Sequence, residues 1–566
     1  MTLTQMRLAT IGAVLSMILG IVDSNIVATA AWPITKSLDP VHGLDLLPWL
    51  ITAYALASTV TQPLYGKLTD VYGPKKVYLF SLATFLVGSA LCGIAQNMQE
   101  LIAFRALQGI GGGGLMSVTL VVVLNIWPPK TTSSGGSTGG GGAGMGGVMT
   151  GVCIVVGPLA GGFLTEHFSW RWIFYVNLPL GLIALALGAL CLKLPVSSDR
   201  HPIDYTGALL IAAATSALLL VTEWGGTEHA WGSPLIVLLI LGGAVLLVAF
   251  LLRQGLWPRI AAREPLFPLS LFRNPVFRLA SPQQFISGMV TMGSVVYVAL
   301  YLQAAQGVKP TLAGVHLLPM AFGMIISAVV AGRLIRRPGR FRLVMVIGTV
   351  MVMAAFALLS RLHPDTSVWV ANLDLLLLGA GLGMVLGMAL LAVQVSVPRE
   401  QLGVAITSVR FSQTLGGAVG SAVFGTILAR EFASRVPDDL KGGSSGRSGI
   451  ALLQTLTGQA RQTVVDALVG ATDRVFVSGA GIAALAVLIT LFFREPRPAT
   501  APGAEQPAGP QAAPAGPAGT GDGAEEAAAE AEPAPEAPAR RLRRPAPRPN
   551  PAGGGLEAGG LEPPVS

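Results

Sequence analysis

Charged residues are scarce in this chain: they make up 12% of its 566 residues, whereas an ordinary soluble domain is about a quarter charged. Cysteine is scarcer still, and Cys92, Cys153 and Cys191 all lie inside apolar stretches. The shortage of charge excludes a soluble enzyme built around one large core. The isolated cysteines exclude a secreted scaffold held by disulfides.

Two sequence signatures are also missing. No segment has the Gly-x-x-x-x-Gly-Lys-Ser/Thr pattern that cradles nucleotide phosphates, which excludes a self-contained ATP-driven pump. The six histidines and three cysteines do not have the spacing of a metal site. We therefore expect no enzyme activity, no metal and no cofactor.

Apolar residues are abundant instead, at 52% of the chain with a mean hydropathy of +0.64. Fourteen apolar runs are long enough to cross a bilayer, and we number them as spans 1 to 14. This pattern predicts an all-α integral membrane protein. The runs cover residues 8–31, 47–65, 77–96, 103–126, 143–164, 172–192, 207–223, 234–252, 279–302, 312–332, 343–360, 369–396, 404–429 and 475–493.

The positive charges predict the orientation. Seventeen Lys and Arg residues lie in the loops after even-numbered spans, and four lie in the short loops after odd-numbered spans. Because Lys and Arg concentrate in cytoplasmic loops, both termini are expected in the cytoplasm. The net charge of +8 is thus explained by topology, and no nucleic-acid partner is expected.

Two short segments resemble each other. The first repeat loop, Gly66–Lys76, and the second repeat loop, Gly332–Arg340, both have glycine, a base and leucine, with another glycine seven residues after the first. Eight spans separate the copies, which predicts two six-helix halves with two central helices inserted between them. The predicted domains are residues 1–196, the inserted pair 197–265, residues 266–495 with an external loop at 430–474, and a disordered cytoplasmic tail at 496–566.

Several motifs then occur in a fixed order. The first repeat loop has the pattern Gly66-x-Leu68-x-Asp70-x-x-Gly73-x-Lys75-Lys76, span 4 has Arg105-x-x-Gln108-Gly109-x-Gly111, and span 5 has Gly157-Pro158-x-x-Gly161-Gly162. The other stretches are Asp23-x-x-Ile26-Val27, Trp170-Arg171-Trp172-Ile173-Phe174, Asn177-x-Pro179-x-Gly181, Tyr301-Leu302-Gln303 and Arg410 to Gly420. Together they resemble the major facilitator superfamily, and in particular its fourteen-helix drug:proton antiporters of the EmrB/QacA type.

The resemblance implies the major facilitator fold and a monomer in the cytoplasmic membrane. It also implies export of hydrophobic or cationic drugs by alternating access, driven by the proton gradient. The expected partners are a small-molecule substrate, protons and the lipid bilayer. One alternative is an exporter of an endogenous secondary metabolite, lipid or siderophore by the same mechanism. A more remote one is a membrane sensor or scaffold that transports nothing.

The chain departs from the family at three places. Asn25 stands where the family usually has threonine, and Pro33 comes one residue late. A tract from Gly135 to Gly147, in which nine of thirteen residues are glycine, replaces an arginine-rich turn before span 5. Helix-interior glycine costs about 1 kcal/mol relative to alanine, so much of this tract is expected to be loop.

Asp23 is the first candidate functional residue, because an acid in the middle of an apolar span costs about 3 kcal/mol to insert. Such an acid exchanges protons or binds a cationic substrate, or else it is a structural carboxylate bonded to a neighbouring helix. Arg105 either extends to the membrane interface or lies inside the bundle, where the resemblance implies an influence on proton binding.

Asp70, Lys75 and Lys76 are consistent with an ordinary charged turn. The resemblance implies instead a conformational latch, with Gly66 and Gly73 permitting a close approach and a tight turn. Gly157, Pro158, Gly161 and Gly162 either serve simple helix packing or, by resemblance, form the bend associated with antiporters.

Four further residues are candidate substrate contacts. Asp374 in span 12 either meets a cationic substrate or faces water near the membrane surface. Arg410 and Gln413 are one turn apart and share a face of span 13, although that face also lies near the cytoplasmic interface. Gln303 enters through the resemblance alone.

Overall fold

The computed structural model is built of helices throughout the residues it describes. These are 2–39, 43–127, 157, 160–161, 163–165, 167–194, 204–226, 229–261, 265, 267–304, 308, 315–335, 340–363, 366–398, 401–436 and 458–493. The glycine tract, most of span 5 and the expected tail at 496–566 lie outside the described residues.

Fourteen α-helices are found in the described part of the chain, with one 3₁₀ turn, Leu269–Arg273, before the ninth. They are α1 Leu3–Leu38, α2 Gly43–Tyr72, α3 Pro74–Ile94, α4 Met98–Ile126, α5 Trp172–Tyr175, α6 Asn177–Cys191, α7 Tyr205–Trp224, α8 Pro234–Ala261, α9 Pro275–Ala304, α10 Leu318–Leu334, α11 Phe341–Leu359, α12 Val368–Ser396, α13 Leu402–Arg435 and α14 Gly458–Leu491.

Most of these helices can cross a membrane. Within the described residues eleven spans are long and apolar enough, with the short α5 and α6 counted as one. Helices α2 and α10 are not among these eleven. The apolar α10 has only 17 residues, and α2 has 30 residues. The chain is therefore a multi-pass membrane protein. A total of fourteen spans stays a prediction, because span 5 falls mostly outside the described residues.

Several helices extend beyond the apolar runs that predict them. The apolar run for span 1 covers 8–31, but α1 covers Leu3–Leu38. Helix also occupies both ends of the predicted external loop at 430–474, because α13 continues to Arg435 and α14 begins at Gly458. These extra turns contain charged and polar residues such as Glu431 and Arg461, which a hydropathy window rejects although a helix accommodates them.

Two sets of helices pack in the same way. In the first, α4 packs against both α2 and α3; in the second, α12 packs against both α10 and α11. Glycines allow the close approach in each case. A side chain at Gly113 would contact the Ser58 carbonyl of α2, and one at Gly383 would contact the Met324 carbonyl of α10. The helices that precede and follow the two repeat loops are thus packed alike.

Helices α1, α5 and α6 pack with the first set, and α9, α13 and α14 pack with the second, so we include them in those sets. The two sets meet through α2, α4 and α13, with α7 beside the contact. Helix α13 packs against α2 and α4, and α7 packs against both α2 and α13. One apolar cluster contains Leu120 and Leu124 of α4 together with Val404 and Ile406 of α13. This contact lies at the end of the bundle that holds the first repeat loop, which we call the repeat-loop end.

Candidate functional site

Asp23 lies in the interior of the first set of helices. Its side chain is 0% exposed, and donors from two other helices surround the carboxylate. Oδ2 accepts a hydrogen bond of 2.6 Å from Arg105 Nη1 of α4. Oδ1 accepts bonds from Gln108 Nε2 of α4 at 2.8 Å and from Asn177 Nδ2 of α6 at 2.9 Å. Asp23 is therefore a fully bonded carboxylate away from water.

Arg105 is also buried, with 1% of its surface exposed. Besides Asp23, its Nη1 donates to Gln108 Oε1 at 2.8 Å. The guanidinium lies over the Tyr54 ring, 4.2 Å from its centroid, a geometry in which a cation is attracted by the ring face. The alternative in which Arg105 extends to the membrane interface is therefore wrong. The arginine has a carboxylate partner and an aromatic face inside the bundle.

Three members of this network received no role from the sequence. Gln108 and Asn177 appear there only as motif positions, and Ser89 is not singled out. In the structure, Asn177 Nδ2 also bonds Ser89 Oγ at 3.1 Å, and Ser89 donates to the Phe174 carbonyl at 2.9 Å. The sequence did contain a signal for these residues: they are polar side chains at interior positions of apolar helices. Such groups are rarely buried without a hydrogen-bonding partner.

The network contains one acid and one base. With both ionised it has no net charge, and each charge has hydrogen-bonding partners, the condition under which a buried pair is tolerated. Protonation of Asp23 would leave the arginine charge buried without its counter-ion. Removing one partner from a buried pair costs about 3 to 5 kcal/mol. Each member of the pair is thus the counter-ion that the other requires in the interior.

A second site lies at the repeat-loop end, between α2 and α13. Asp70 Oδ1 accepts a hydrogen bond from the Gly403 amide and Oδ2 accepts one from the Val404 amide, both at 3.0 Å. Gly403 and Val404 are in the first turn of α13, where unpaired amides and the helix dipole favour an anion. Asp70 therefore joins the two sets of helices across more than 330 residues of sequence.

Glycines bring these two helices together. A side chain at Gly66 would collide with Thr407 Oγ1, and one at Gly403 would collide with Asp70 Oδ1. Gly73 serves the turn instead, since its φ is 84°, in the region that favours glycine, and it is the single residue between α2 and α3. The expected loop is thus a one-residue turn, followed by Pro74 at the first position of α3, where proline suits a helix.

The two lysines of this segment differ. Lys75 Nζ donates to the Ala189 carbonyl of α6 at 2.7 Å, so it binds one of the last carbonyls of that helix. Lys76 is exposed. Neither takes part in the contact between Asp70 and α13, so that contact depends on Asp70, Gly66 and Gly403.

Arg410 and Gln413 contact each other on α13, with Arg410 Nη1 donating to Gln413 Oε1 at 2.7 Å. Both are half-buried. One residue further along, Thr414 Oγ1 accepts a bond of 3.3 Å from Gln62 Nε2 of α2. These side chains therefore form a polar strip where the two sets of helices face each other.

The remaining candidates are dispersed. Asp374 is buried in α12, 7% exposed, and within the described residues its carboxylate has no hydrogen-bond or ion-pair partner. Gln303 is exposed near the end of α9. Gly157 and Gly161 are buried, whereas Pro158 and Gly162 lie outside the described residues. Of these candidates, those that the structure describes do not join the Asp23 network.

The profile of the Major Facilitator Superfamily matches residues 12–421 of the chain, which include the Asp23 network and the Asp70 contact. The chain belongs to the major facilitator superfamily. It is a multi-pass membrane protein of this superfamily, and it spans 64% of the length of the Mycobacterium tuberculosis relative that it matches.

Sequence relatives of this chain include bacterial proteins. An uncharacterised MFS-type transporter of Mycobacterium tuberculosis is 34% identical over 450 residues, 79% of this chain and 64% of that protein. The multidrug transporter protein MdtP of Bacillus subtilis is 32% identical over 429 residues, 76% of each chain. Multidrug resistance protein 3 of Bacillus subtilis is 32% identical over 448 residues, 79% of this chain and 84% of that protein.

Two solved structures share the fold. The human organic anion transporter MFSD10 has a TM-score of 0.56 at 15% identity, covering 86% of this chain and 99% of its own. The proton:xylose symporter XylE has a TM-score of 0.54 at 14% identity, covering 87% and 96%. At such identities the comparison establishes the all-helical superfamily fold alone.

Proposed function

We propose that this transporter is a proton-coupled antiporter of the fourteen-helix drug:proton type. It exports hydrophobic or cationic drugs across the cytoplasmic membrane by alternating access. In this proposal the repeat-loop end and both termini face the cytoplasm, as the distribution of Lys and Arg predicts. Asp23 and Arg105 couple the proton to the conformational change, and Asp70 is part of the latch.

The buried Asp23–Arg105 pair is the observation that carries the proposal. An intramembrane carboxylate is a functional residue by default, and this one is held by the ion pair and two amide donors. Because Asp23 is 0% exposed, neither water nor substrate touches it in this arrangement. Coupling therefore acts through conformation: the helices must rearrange before a proton reaches Asp23, and the proton then favours the rearranged state.

The Asp70 contact supports an alternating cycle. With Asp70 bonded to the α13 amides, and Gln62 to Thr414, the two halves are joined at the cytoplasmic end. A substrate can then leave only toward the outside. Opening toward the cytoplasm requires these bonds to break, and each is a bond between separate halves that re-forms without covalent change.

The direction and the substrate class are supported by two features. The Gly157-to-Gly162 segment resembles the motif of the antiporters, and relatives at 32% identity include the multidrug transporter MdtP and multidrug resistance protein 3. Arg410, Gln413 and Asp374 are the proposed polar contacts for substrate. Gln303 stays a candidate through the resemblance alone.

Purified transporter in liposomes, with an imposed pH gradient and ethidium as the cationic substrate, tests the proposal. The wild type should accumulate ethidium in response to the gradient, and a protonophore should abolish the accumulation. Asp23→Asn should lose gradient-driven uptake and retain ethidium exchange at equal pH. Asp466→Asn, the same change at an exposed acid of α14, is the matched control and should behave as the wild type.

Gradient-driven uptake by Asp23→Asn at the wild-type rate would refute the role of Asp23. Absence of ethidium movement by the wild type, together with transport of an endogenous metabolite under the same gradient, would leave the mechanism intact. That result would change the proposed substrate from a drug to an endogenous metabolite.

A further inference from the structure

The inserted pair, α7 and α8, lies beside the contact between the two halves. Helix α7 packs against α2 and α13, the helices joined by Asp70. Helix α8 packs against α7 and exposes apolar side chains such as Leu238, Val245 and Leu252, as expected of a surface that faces lipid. A helix that contacts both halves cannot keep all its contacts when the halves move relative to each other.

A buried ionic cluster fixes the repeat-loop end of this pair. Asp204, 1% exposed, caps α7 by accepting a bond of 2.9 Å from the Gly207 amide. The same carboxylate accepts bonds from Arg253 Nε at 2.9 and 3.2 Å and from Gln254 Nε2 at 3.1 Å. Arg253 Nη2 adds a contact of 2.8 Å. We call Asp204, Arg253 and Gln254 the clamp.

The clamp stays charged at physiological pH. Burial would raise the pKa of the Asp204 carboxyl, but the hydrogen bonds from Arg253, Gly207 and Gln254 outweigh it and hold the pKa below its usual range. A carboxyl with a lowered pKa contributes stability above its ordinary pKa, and that contribution is lost only as pH falls through the lowered value. The clamp therefore keeps its charges across the physiological pH range and is not a pH switch.

Gln254 links the clamp to the entry into the C-terminal half. Its Oε1 accepts a bond of 3.0 Å from the Phe267 amide. The Phe267 ring packs against Phe272 at 5.8 Å and Phe277 at 6.4 Å, before and within the start of α9. Phe267 also packs against a small cluster of Ile211 and Phe250, and Leu64 of α2 packs against the same cluster. Phe267 thus joins the inserted pair to the C-terminal half, and the cluster joins the inserted pair to the N-terminal half.

The clamp and the latch share a pocket. Its volume is about 300 Å³, and its walls include Lys67 and Asp70 of α2, Gln254 of α8, Leu269 of the 3₁₀ turn, and Gln401 and Val404 at the start of α13. Gln254 therefore faces the same space as the Asp70–Val404 bond. Movement of the clamp would change the walls against which Asp70 and α13 are held.

We propose that Asp204, Arg253 and Gln254 are positioning residues, through which the inserted pair stabilises the state with the halves joined at the repeat-loop end. The clamp fixes α7, which packs against both halves, to α8 and, through Phe267, holds the segment that enters α9. Loosening it shifts the population toward the state that is open at this end. The proposal takes from the proposed function only alternating access, and it is independent of proton coupling and of substrate.

Distance measurement by pulsed electron paramagnetic resonance tests this proposal on the full chain in lipid nanodiscs. The spin labels are placed at Tyr72 of α2 and Leu343 of α11, both exposed near the repeat-loop end, with the native cysteines replaced. Asp204→Asn retains an oxygen that can cap α7 and removes the charge that binds Arg253. Arg253→Gln removes the other member of the pair.

Both variants should raise the ratio of long to short distances by roughly threefold, the effect typical of losing a partly buried ion pair. Arg273→Gln is the matched control, since it removes an exposed arginine from the same end and should leave the distribution unchanged. Unchanged distributions in Asp204→Asn and Arg253→Gln would overturn the proposal. So would an equal shift in Arg273→Gln.

Gln254→Leu distinguishes a population shift from a loss of folding in the charge variants. It keeps the Asp204–Arg253 pair and roughly the side-chain volume, but it removes the bonds of Gln254 to Phe267 and to Asp204. It should show the same direction of shift in protein that elutes as a single species. A wild-type distance distribution in Gln254→Leu would contradict the link through Phe267. Failure of proton coupling in liposomes would leave these distance results unaffected, so the two proposals fail separately.

Discussion

The Asp23–Arg105 pair permits a quantitative test by a double-mutant cycle. Asp23→Asn leaves the Arg105 charge buried without a counter-ion. Arg105→Met leaves Asp23 with only the amide donors of Gln108 and Asn177. Each single change breaks a buried pair and should cost about 3 to 5 kcal/mol. The double variant has neither charge, so its loss should be well below the sum of the two.

These energies convert into measurable shifts in melting temperature. An unfolding entropy of about 2 cal/mol/K per residue gives roughly 1 kcal/mol/K for a chain of this size. Each single variant should therefore melt roughly 3 to 5 °C below the wild type, and the double variant within about 3 °C of it. The assay is size-exclusion chromatography of detergent-solubilised protein after heating at a fixed pH, with Asp466→Asn as the control for a neutralised acid.

Single shifts that add in the double variant would refute the coupling between Asp23 and Arg105. Additivity within about 0.5 kcal/mol is the behaviour of independent sites, and it would mean that the 2.6 Å contact contributes nothing as a pair. Single variants as stable as the wild type would be an equally clear contradiction, since a buried charge left without its partner could then be tolerated.

Two further predictions concern the helix contacts. Asp70→Asn removes the anion at the start of α13, a loss of about 1 kcal/mol. Cysteines introduced at Gln62 and Thr414 should therefore be cross-linked by a short bifunctional thiol reagent roughly fivefold less in Asp70→Asn than in the unsubstituted protein at equilibrium. Unchanged cross-linking would contradict the role of Asp70 as a latch. Gly113→Ala should lower the melting temperature because its methyl group would meet the Ser58 carbonyl, whereas Gly232→Ala, with nothing within 4 Å, should not. Equal melting of the two glycine variants would contradict the packing argument.

The helices were largely predictable from the sequence, because hydropathy over about 20 residues measures what a bilayer requires. The turns that extend beyond the bilayer were not predictable in this way. Arg435 at the end of α13 and Gly458 at the start of α14 lie in segments with mixed charge, where helix formation depends on tertiary packing rather than on hydropathy.

The candidate site was predictable in part. A lone acid and a lone arginine in apolar spans can be identified as candidates from the sequence, since each is costly there. Their partners do not, because Asn177 meets Asp23 across 154 positions and Val404 meets Asp70 across 334. Such pairings arise from the packing of helices that are distant in sequence. The clamp was missed for the same reason: Asp204 and Gln254 look like ordinary polar residues at the ends of two apolar runs.

The one-residue turn at Gly73 has a mechanical consequence. Because α2 ends at Tyr72 and α3 begins at Pro74, the connection has no further residues that could absorb a movement. A displacement of α2 is therefore transmitted directly to α3. Rotation at this joint is confined to the two dihedral angles of one glycine. Ordinary loop tips accept inserted sequences, but this junction should not. An epitope tag or protease site placed here would separate two helices that must move together as one rigid unit.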